Sequence, residues 1–151
     1  SQPILDAKHK KEPRKGRGGA SNLVPFTTGA AKAISKVMPQ LEGKLNGQAI
    51  RVPTPDVSIV DLTVTLEKET NLEEVSQAFI EASNGELKGI LGVDDEYRVS
   101  SDFMGEAQSS VVAKDTIQVV GGNMVKVLSW YDNEWGYSTR LVDMAAYVGN
   151  N

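Results

Sequence analysis

Alternation of apolar and polar residues within residues 57–68 is the strongest structural pattern in the chain. One face would hold Val60, Leu62, Val64 and Leu66, and the other Asp61, Thr63, Thr65 and Glu67. A period of two predicts a strand with one covered and one polar face, as is typical of an antiparallel sheet. Apolar runs predict further strands over residues 48–53, 89–92, 98–101, 109–113, 117–120 and 124–130, the last two joined by a Gly-Gly-Asn turn.

Helical spacing of apolar residues predicts three helices. The first begins after Thr27 or Thr28, stops at Pro39, and has as its apolar positions Ala30, Ala33, Ile34 and Val37. The second starts at an Asn71 N-cap and ends at Gly85. The third follows residue 134, with an apolar side formed by Leu141, Met144, Ala145 and Val148. This order of elements predicts an α+β fold, a mostly antiparallel mixed sheet with helices packed on one face.

The composition of the chain limits which classes of protein and which kinds of functional site are consistent with it. The 151 residues, 40% of them hydrophobic, suffice for one domain with a buried core. No apolar run approaches a length of about 20 residues, so we expect a cytoplasmic protein with no membrane partner. The chain contains no cysteine, which excludes thiol catalysis by these residues. His9 lies in a polar segment far from other metal-ligating residues, so we expect no metal site.

The charge of the chain is unevenly distributed. Residues 1–17 carry six basic and two acidic side chains, whereas the net charge of the whole chain is −4. We call residues 1–20 the basic arm; this segment is rich in Gly and Pro and is predicted to be a long loop. The arm could meet nucleic acid, a phosphorylated ligand or the acidic surface of another subunit, or it could be a solvated loop.

Two features in the first third of the chain could bind an anion. Thr28 and Gly29 open the first predicted helix, where free N–H groups, the helix dipole and hydroxyls suit a phosphate, although threonine also caps many helices. Arg51 lies within an apolar strand pattern, where a guanidinium needs a partner. That partner could be an acidic side chain of the protein or a ligand phosphate.

Residues 129–140 contain four of the six Trp and Tyr residues of the chain. Asp132 or Asn133 could cap the third helix, with Trp130, Trp135 and Tyr137 packing in the core. Alternatively, the Asn133 amide could bind a ligand carboxamide while Tyr137 flanks a planar ring. Stacking on single-stranded nucleic acid is the weakest interpretation, because no Lys or Arg alternates with these aromatics. No nucleophile paired with a base is evident anywhere in the chain.

Five stretches, taken together, resemble the catalytic domain of phosphorylating glyceraldehyde-3-phosphate dehydrogenase. They are T-T-G-A-A-K-A at 27–33, R-V-P-T-P-D-V-S-I-V-D-L-T-V at 51–64, L-K-G-I-L-G at 87–92, V-S-S-D-F at 99–103 and S-W-Y-D-N-E-W-G-Y-S at 129–138. They occur in the family's order and at its spacing, over essentially the whole chain.

The resemblance implies roles for seven residues. Thr28 and Gly29 would hold the attacking inorganic phosphate, and Arg51 the phosphate of the substrate. Arg14 or Lys15 would add a basic group to the substrate-phosphate site. Asn133 would bind the nicotinamide carboxamide, and Tyr137 would lie near the nicotinamide ring. The basic arm, residues 1–20, resembles the second half of a loop that lines the cofactor pocket and packs between subunits, and residues 21–151 resemble the catalytic or substrate domain.

Parts of the family's machinery have no counterpart in these residues. The family's cysteine nucleophile, in an S-C-T-T-N motif, and its histidine base both precede the loop in which Ser1 lies, as does the dinucleotide-binding domain. The resemblance therefore implies a fragment, cut within that loop or produced by cleavage, that joins the N-terminal part of the same enzyme. It leaves the choice between NAD and NADP open, because the main determinant would lie in the absent domain.

The resemblance also implies a reaction and an assembly. In the intact enzyme, a cytoplasmic homotetramer, a cysteine thiolate attacks glyceraldehyde 3-phosphate, hydride passes to the nicotinamide, and phosphate releases 1,3-bisphosphoglycerate. The 151-residue chain alone is expected to be inactive, and nucleic acid is not expected as a partner. The competing interpretation is a stand-alone interaction module whose basic arm binds a partner chain or nucleic acid.

Overall fold

The computed structural model describes residues 2–150, apart from the side chains of residues 31 and 32. The chain divides into two compact units, the first ending at Pro55 and the second beginning at Asp56. Each unit contains its own sheet.

The first unit is built around a two-stranded antiparallel ladder. Strand β1 (Val24–Thr27) pairs with strand β2 (Gln48–Arg51), and helix α1 (Ala30–Val37) follows β1 directly. Residues 24–27 were not predicted to form a strand, because the run is short, contains a proline and adjoins a strong helix signal. The predictions of the first helix and of the strand at residues 48–53 are confirmed, with shorter bounds for the strand.

Hydrogen bonds across the basic arm close it into a compact loop. The Ala7 N–H donates to the Gly16 carbonyl at 2.7 Å, and the Gly18 N–H donates to the Asp6 carboxylate at 2.8 Å. The chain passes so close at Gly16 that a Cβ atom there would collide with the Ala7 carbonyl. The Gly18 amide and the Arg17 guanidinium hold the pKa of Asp6 below its usual value. Glycine is therefore a steric requirement of this loop at Gly16.

The second unit contains a five-stranded mixed sheet. Its strands are β3 (Ser58–Thr65), β4 (Leu91–Asp94), β5 (Ser110–Ala113), β6 (Gln118–Val120) and β7 (Met124–Tyr131). The order is β3-β7-β5-β4, with β6 also paired to β7, and all pairs are antiparallel except β4 with β5. Two helices, α2 (Leu72–Asn84) and α3 (Trp135–Gly149), complete the unit. The predicted α+β fold class is confirmed.

Helix α2 covers one face of this sheet. Val75 and Phe79 of α2 pack against a buried cluster formed by Val112, Ile117, Val125 and Val127. The Asn71 side chain accepts the Glu74 N–H at 3.0 Å and caps the helix as predicted. The turn between β6 and β7 contains Gly121 and Gly122, both with positive φ, which confirms the hairpin.

The predicted strand at residues 98–101 is wrong. Residues Ser100–Phe103 form a 3-10 turn, because the Asp102 carboxylate accepts the Val99 N–H at 2.8 Å and closes the chain locally. The turn directs Phe103 into the interior, where it is fully buried and stacks on Trp130 with ring centres 5.5 Å apart. A side-chain hydrogen bond thus overrides the apolar pattern here.

Two surfaces that were predicted to be covered are exposed in the described residues. Strand β3 is at the edge of its sheet and exposes Val60 and Leu62, although Val64 packs on the core. Helix α3 exposes its apolar residues Leu141, Val142, Met144, Tyr147 and Val148. Alternation and helical spacing identify an apolar face correctly, but they do not say which part of a protein covers it.

Candidate functional site

The seven residues predicted to form sites fall into two groups, one in each unit. The first unit holds Arg14, Lys15, Thr28, Gly29 and Arg51, and the second holds Asn133 and Tyr137. Each group has its own local geometry.

Arg51 and Lys15 meet at the ring of Phe26. The Arg51 Cζ atom lies 5.0 Å from the ring centre and the Lys15 Nζ atom lies 5.6 Å from it. Arg51 pairs with Val24 across the ladder, so Phe26 is its diagonal neighbour on the same face. Both cations are attracted by the ring, although each such contact contributes only about 0.5–1 kcal/mol at partly exposed sites. The structure therefore brings two of the five predicted phosphate residues together.

The two cations differ in their ion pairing. Lys15 donates to the Glu12 carboxylate at 2.9 Å. Arg51 is half-buried, and no carboxylate within the described part of the first unit forms an ion pair with it. The acidic protein partner that was considered for Arg51 is therefore not found in that unit. The planar guanidinium has donors that can bind an anion through two parallel hydrogen bonds.

Thr28 and Gly29 lie between β1 and the first turn of α1. The Thr28 hydroxyl accepts the Ala30 N–H at 3.2 Å, and the exposed Gly29 occupies the N-cap position. Thr28 and Gly29 follow the end of the ladder at which Thr27 pairs with Gln48. This end lies three residues, or about 10 Å, along the strand from the pair formed by Val24 and Arg51. The Arg51 side chain spans part of this separation, since its guanidinium lies over Phe26.

Arg14 belongs to the 3-10 turn Pro13–Gly16 of the basic arm. Its side chain is exposed, and no carboxylate of the described part of the first unit pairs with it. Arg17 of the same arm forms an ion pair with Asp6, with its Nε atom 2.9 Å from Asp6 Oδ2. Of the two alternatives raised for the substrate-phosphate site, Lys15 is the one that shares an aromatic contact with Arg51.

Asp132 organises the start of helix α3 in the second unit. Its carboxylate is only 4% exposed and accepts the N–H groups of Glu134 at 2.9 Å, Trp135 at 2.7 Å and Gly105 at 2.9 Å. Burial by itself would raise the pKa of this carboxyl, but the three backbone hydrogen bonds, with a smaller contribution from the Asp56 side chain, outweigh burial and hold the pKa below its usual value. Asp132 therefore caps the helix as an ionised group, which confirms the capping interpretation for this residue.

Asn133 follows Asp132 and is exposed, with both ends of its amide engaged. The Ser58 hydroxyl donates to Asn133 Oδ1 at 2.7 Å, and Asn133 Nδ2 donates to Asp56 Oδ1 at 3.1 Å. An amide group has two donor hydrogens and two acceptor positions, so one of each remains for a ligand. Asp56 and Ser58 were not predicted to be site residues, because no local pattern links them to Asn133 across so many positions.

The aromatic residues near Asn133 separate into buried and exposed groups. Trp130 packs on Phe103, and its buried indole N–H has no hydrogen-bond partner within the described residues. Trp135 is 57% exposed and Tyr137 is 69% exposed. The packing interpretation is thus correct for Trp130 and wrong for Trp135, whereas Tyr137 presents an accessible ring on the first turn of α3.

Residues 2–150 contain no group of three His, Cys, Asp or Glu side chains placed to hold a metal ion. They also form no helix that is long and apolar enough to cross a bilayer.

Comparison with known proteins identifies the family. The family model described as glyceraldehyde 3-phosphate dehydrogenase, C-terminal domain, matches residues 1–133. Glyceraldehyde-3-phosphate dehydrogenase 1 of Bacillus cereus is 56% identical over 97% of this chain, and the Geobacillus stearothermophilus enzyme is 54% identical over 99%. The chloroplastic glyceraldehyde-3-phosphate dehydrogenase A of Chlamydomonas reinhardtii is 56% identical over 95%. The chain spans 44%, 44% and 38% of the lengths of these relatives. The chain belongs to the glyceraldehyde 3-phosphate dehydrogenase C-terminal domain family.

Proposed function

We propose that this chain forms the C-terminal part of a phosphorylating glyceraldehyde-3-phosphate dehydrogenase. In this proposal the first unit binds phosphate groups through Arg51, Lys15, Thr28 and Gly29, with Arg14 as the alternative basic residue of the arm. The second unit binds the nicotinamide end of NAD or NADP through Asn133 and Tyr137. The names of the relatives and the family match support the reaction.

The observation that carries the phosphate assignment is the environment of Arg51. A half-buried guanidinium with no carboxylate partner in its own unit is costly, unless an anion satisfies its donors. Lys15 lies at the same aromatic ring and adds positive charge. A phosphate group matches both the charge and the planar donor geometry of the arginine.

The residues of the second unit fit a nicotinamide group. Asn133 retains a free donor and a free acceptor, the complement of a primary carboxamide. Tyr137 offers an exposed ring four positions further along. A bound nicotinamide would accept a hydride from the substrate. Both NAD and NADP carry the same nicotinamide, so these two residues serve either cofactor.

The nucleophile and the base are proposed to come from the rest of the enzyme. The 151 residues include no cysteine, and His9 uses its Nδ1 atom to accept the Glu12 N–H at 3.0 Å in the exposed arm. The exposed apolar residues of β3 and α3 support contacts with further domains or subunits, as a homotetramer would provide. A cytoplasmic location is part of the same proposal.

Replacing Asn133 by alanine tests the cofactor assignment. In the full-length dehydrogenase that carries this chain, we expect Asn133→Ala to raise the KM for the nicotinamide cofactor about 10-fold, because two hydrogen bonds to the carboxamide are lost. The KM for glyceraldehyde 3-phosphate should not change. Asn84→Ala is the matched control, since this asparagine only contacts the Ile80 carbonyl of its own helix. An unchanged cofactor KM in Asn133→Ala would refute the assignment.

The alternative function, a stand-alone module whose basic arm binds a partner chain or nucleic acid, has less support. Arg17 is paired with Asp6 and Lys15 with Glu12, so part of the positive charge of the basic arm is neutralised within the arm. A nucleic-acid surface instead directs its cations towards phosphates. Strong, salt-dependent RNA binding by the chain would favour the alternative.

A further inference from the structure

Val57 has a backbone conformation that its residue type strongly disfavours. Its φ angle is +70°, and valine is β-branched, so the side chain crowds the backbone in this left-handed region. Val57 is nevertheless only 6% exposed and packs in a buried cluster with Phe103 and Val111. Packing of the side chain thus holds the backbone in a strained state, and strained residues of this kind cluster at functional sites.

The strained residue separates two side chains that hold the same amide. Asp56 precedes Val57 and accepts from Asn133 Nδ2 at 3.1 Å, while Ser58 follows it and donates to Asn133 Oδ1 at 2.7 Å. The Val57 N–H itself donates to Asp56 Oδ1 at 2.7 Å. The local turn at Val57 therefore presents an acceptor and a donor to opposite ends of one asparagine side chain.

The chemistry of Asp56 fixes which way the amide points. Asp56 Oδ1 accepts the Val57 N–H at 2.7 Å and lies 3.1 Å from Asn133 Nδ2, so the amide end that faces Asp56 is the NH₂ group. Reversing the amide would set the Asn133 oxygen against the Asp56 oxygen. The Ser58 hydroxyl satisfies the opposite end by donating to Asn133 Oδ1. The donor and the acceptor that Asn133 leaves for a ligand consequently have a defined arrangement.

The main chain beside Asn133 is fixed as well. The preceding residue, Asp132, is buried and accepts three backbone N–H groups, including that of Gly105 from another segment. The amide side chain of Asn133 is thus held at its base by Asp132 and at its tip by Asp56 and Ser58. This degree of restraint is unusual for an exposed asparagine, whose side chain would otherwise rotate freely.

We propose that Asp56 and Ser58 are positioning residues, which the strained turn at Val57 places on either side of the Asn133 amide. They orient this amide so that it can bind a primary carboxamide. The proposal rests on the proposed function of Asn133 as the nicotinamide contact. Such positioning would preorganise the site. Because the Asn133 amide is already oriented before the ligand binds, less side-chain conformational entropy is lost on binding.

The test compares variants of the full-length dehydrogenase with two cofactors, NAD and its 3-acetylpyridine analogue. The acetyl group keeps the carbonyl acceptor of the carboxamide but has no N–H donor. We expect Ser58→Ala and Asp56→Ala each to raise the KM for NAD about 3- to 10-fold. The KM for the analogue should rise less, because fewer of its contacts depend on the amide orientation. Ser58→Thr keeps the hydroxyl and should restore most of the affinity for NAD.

Two controls make the outcomes decisive. Asp61→Ala removes an exposed carboxylate of β3 that pairs with Lys126 and should leave both KM values unchanged. In an Asn133→Ala background, removing Ser58 or Asp56 should have no further effect on the KM for NAD. If the effects are equally large in that background, or equal for the two cofactors, the positioning role is refuted.

The same experiment separates this proposal from the one on which it rests. If Asn133→Ala leaves the KM for NAD unchanged, the proposed function of Asn133 is wrong. If Asn133→Ala raises the KM and both Ser58→Ala and Asp56→Ala leave it unchanged, only the positioning role is wrong. Should Asp56→Ala fail to fold, the result for Ser58→Ala and its Ser58→Thr rescue decides the question.

Discussion

In the proposed full-length dehydrogenase, replacing Arg51 by alanine is expected to lower kcat/KM for glyceraldehyde 3-phosphate about 100-fold. A bidentate, charge-assisted contact between guanidinium and phosphate contributes about 3 kcal/mol, and each 1.4 kcal/mol corresponds to a factor of about ten. Lys15 would remain at the Phe26 ring and retain part of the attraction. Steady-state kinetics with the phosphorylated aldehyde measures the loss.

Comparison of substrates and variants shows whether the loss comes from phosphate binding. Glyceraldehyde without the phosphate group should be oxidised almost equally by the wild-type enzyme and Arg51→Ala. Arg51→Lys should recover only part of the loss, since an ammonium group cannot make the bidentate contact. Lys44→Ala, which removes an exposed cation of the first unit, should have little effect. Equal losses for both aldehydes would contradict the phosphate assignment.

Replacing Asp132 by alanine is expected to destabilise the second unit by about 3 kcal/mol or more. The change leaves three backbone N–H groups, those of Gly105, Glu134 and Trp135, without their charged acceptor. The destabilisation should also depend on pH. Because the pKa of Asp132 is lowered on folding, its contribution is present above the unfolded pKa of about 3.9 and is lost as the pH falls through the folded pKa. Urea unfolding between pH 3 and pH 7 measures both effects.

An exposed carboxylate provides the comparison for Asp132. Asp95 pairs with Lys114 at 2.6 Å but is largely solvent-exposed, so Asp95→Ala should cost less than about 1 kcal/mol. The difference in unfolding free energy between wild type and Asp132→Ala should shrink as the pH falls below about 4. A small, pH-independent difference would show that Asp132 does not hold the start of α3 as an ionised cap.

The parts of the fold that follow simple periodicity were predictable from the sequence. Strands β3 and β7 and helix α2 were identified from alternation, helical spacing and the Asn71 cap. Strand β1 was missed because its four residues include a proline and adjoin a strong helix signal. The strand predicted at residues 98–101 was wrong because Asp102 closes a turn through its side chain. Local hydrogen bonding by one polar residue is invisible to an apolar pattern.

Candidate site residues could be selected from the sequence where a single residue stands out. Asn133 and Arg51 were selected as candidates because an amide beside aromatics and a guanidinium in a strand are unusual on their own, and the family resemblance supplied their proposed roles. The partners of Asn133 were not identified, since Ser58 and Asp56 are separated from it by 75 and 77 positions. Only the folded sheet brings these residues together, where β3 pairs with β7. The positive φ of Val57 was not predictable either, because valine rarely adopts this conformation.

The most direct test of the central claim joins this chain to the N-terminal part of the Geobacillus stearothermophilus relative, which is 54% identical over the shared 149 residues. We expect this hybrid to oxidise glyceraldehyde 3-phosphate in a reaction that requires both inorganic phosphate and NAD or NADP. We expect no turnover by the 151-residue chain alone, which contains no cysteine. A folded hybrid that binds the cofactor but shows no such turnover, or turnover by the chain alone, would contradict the proposed function.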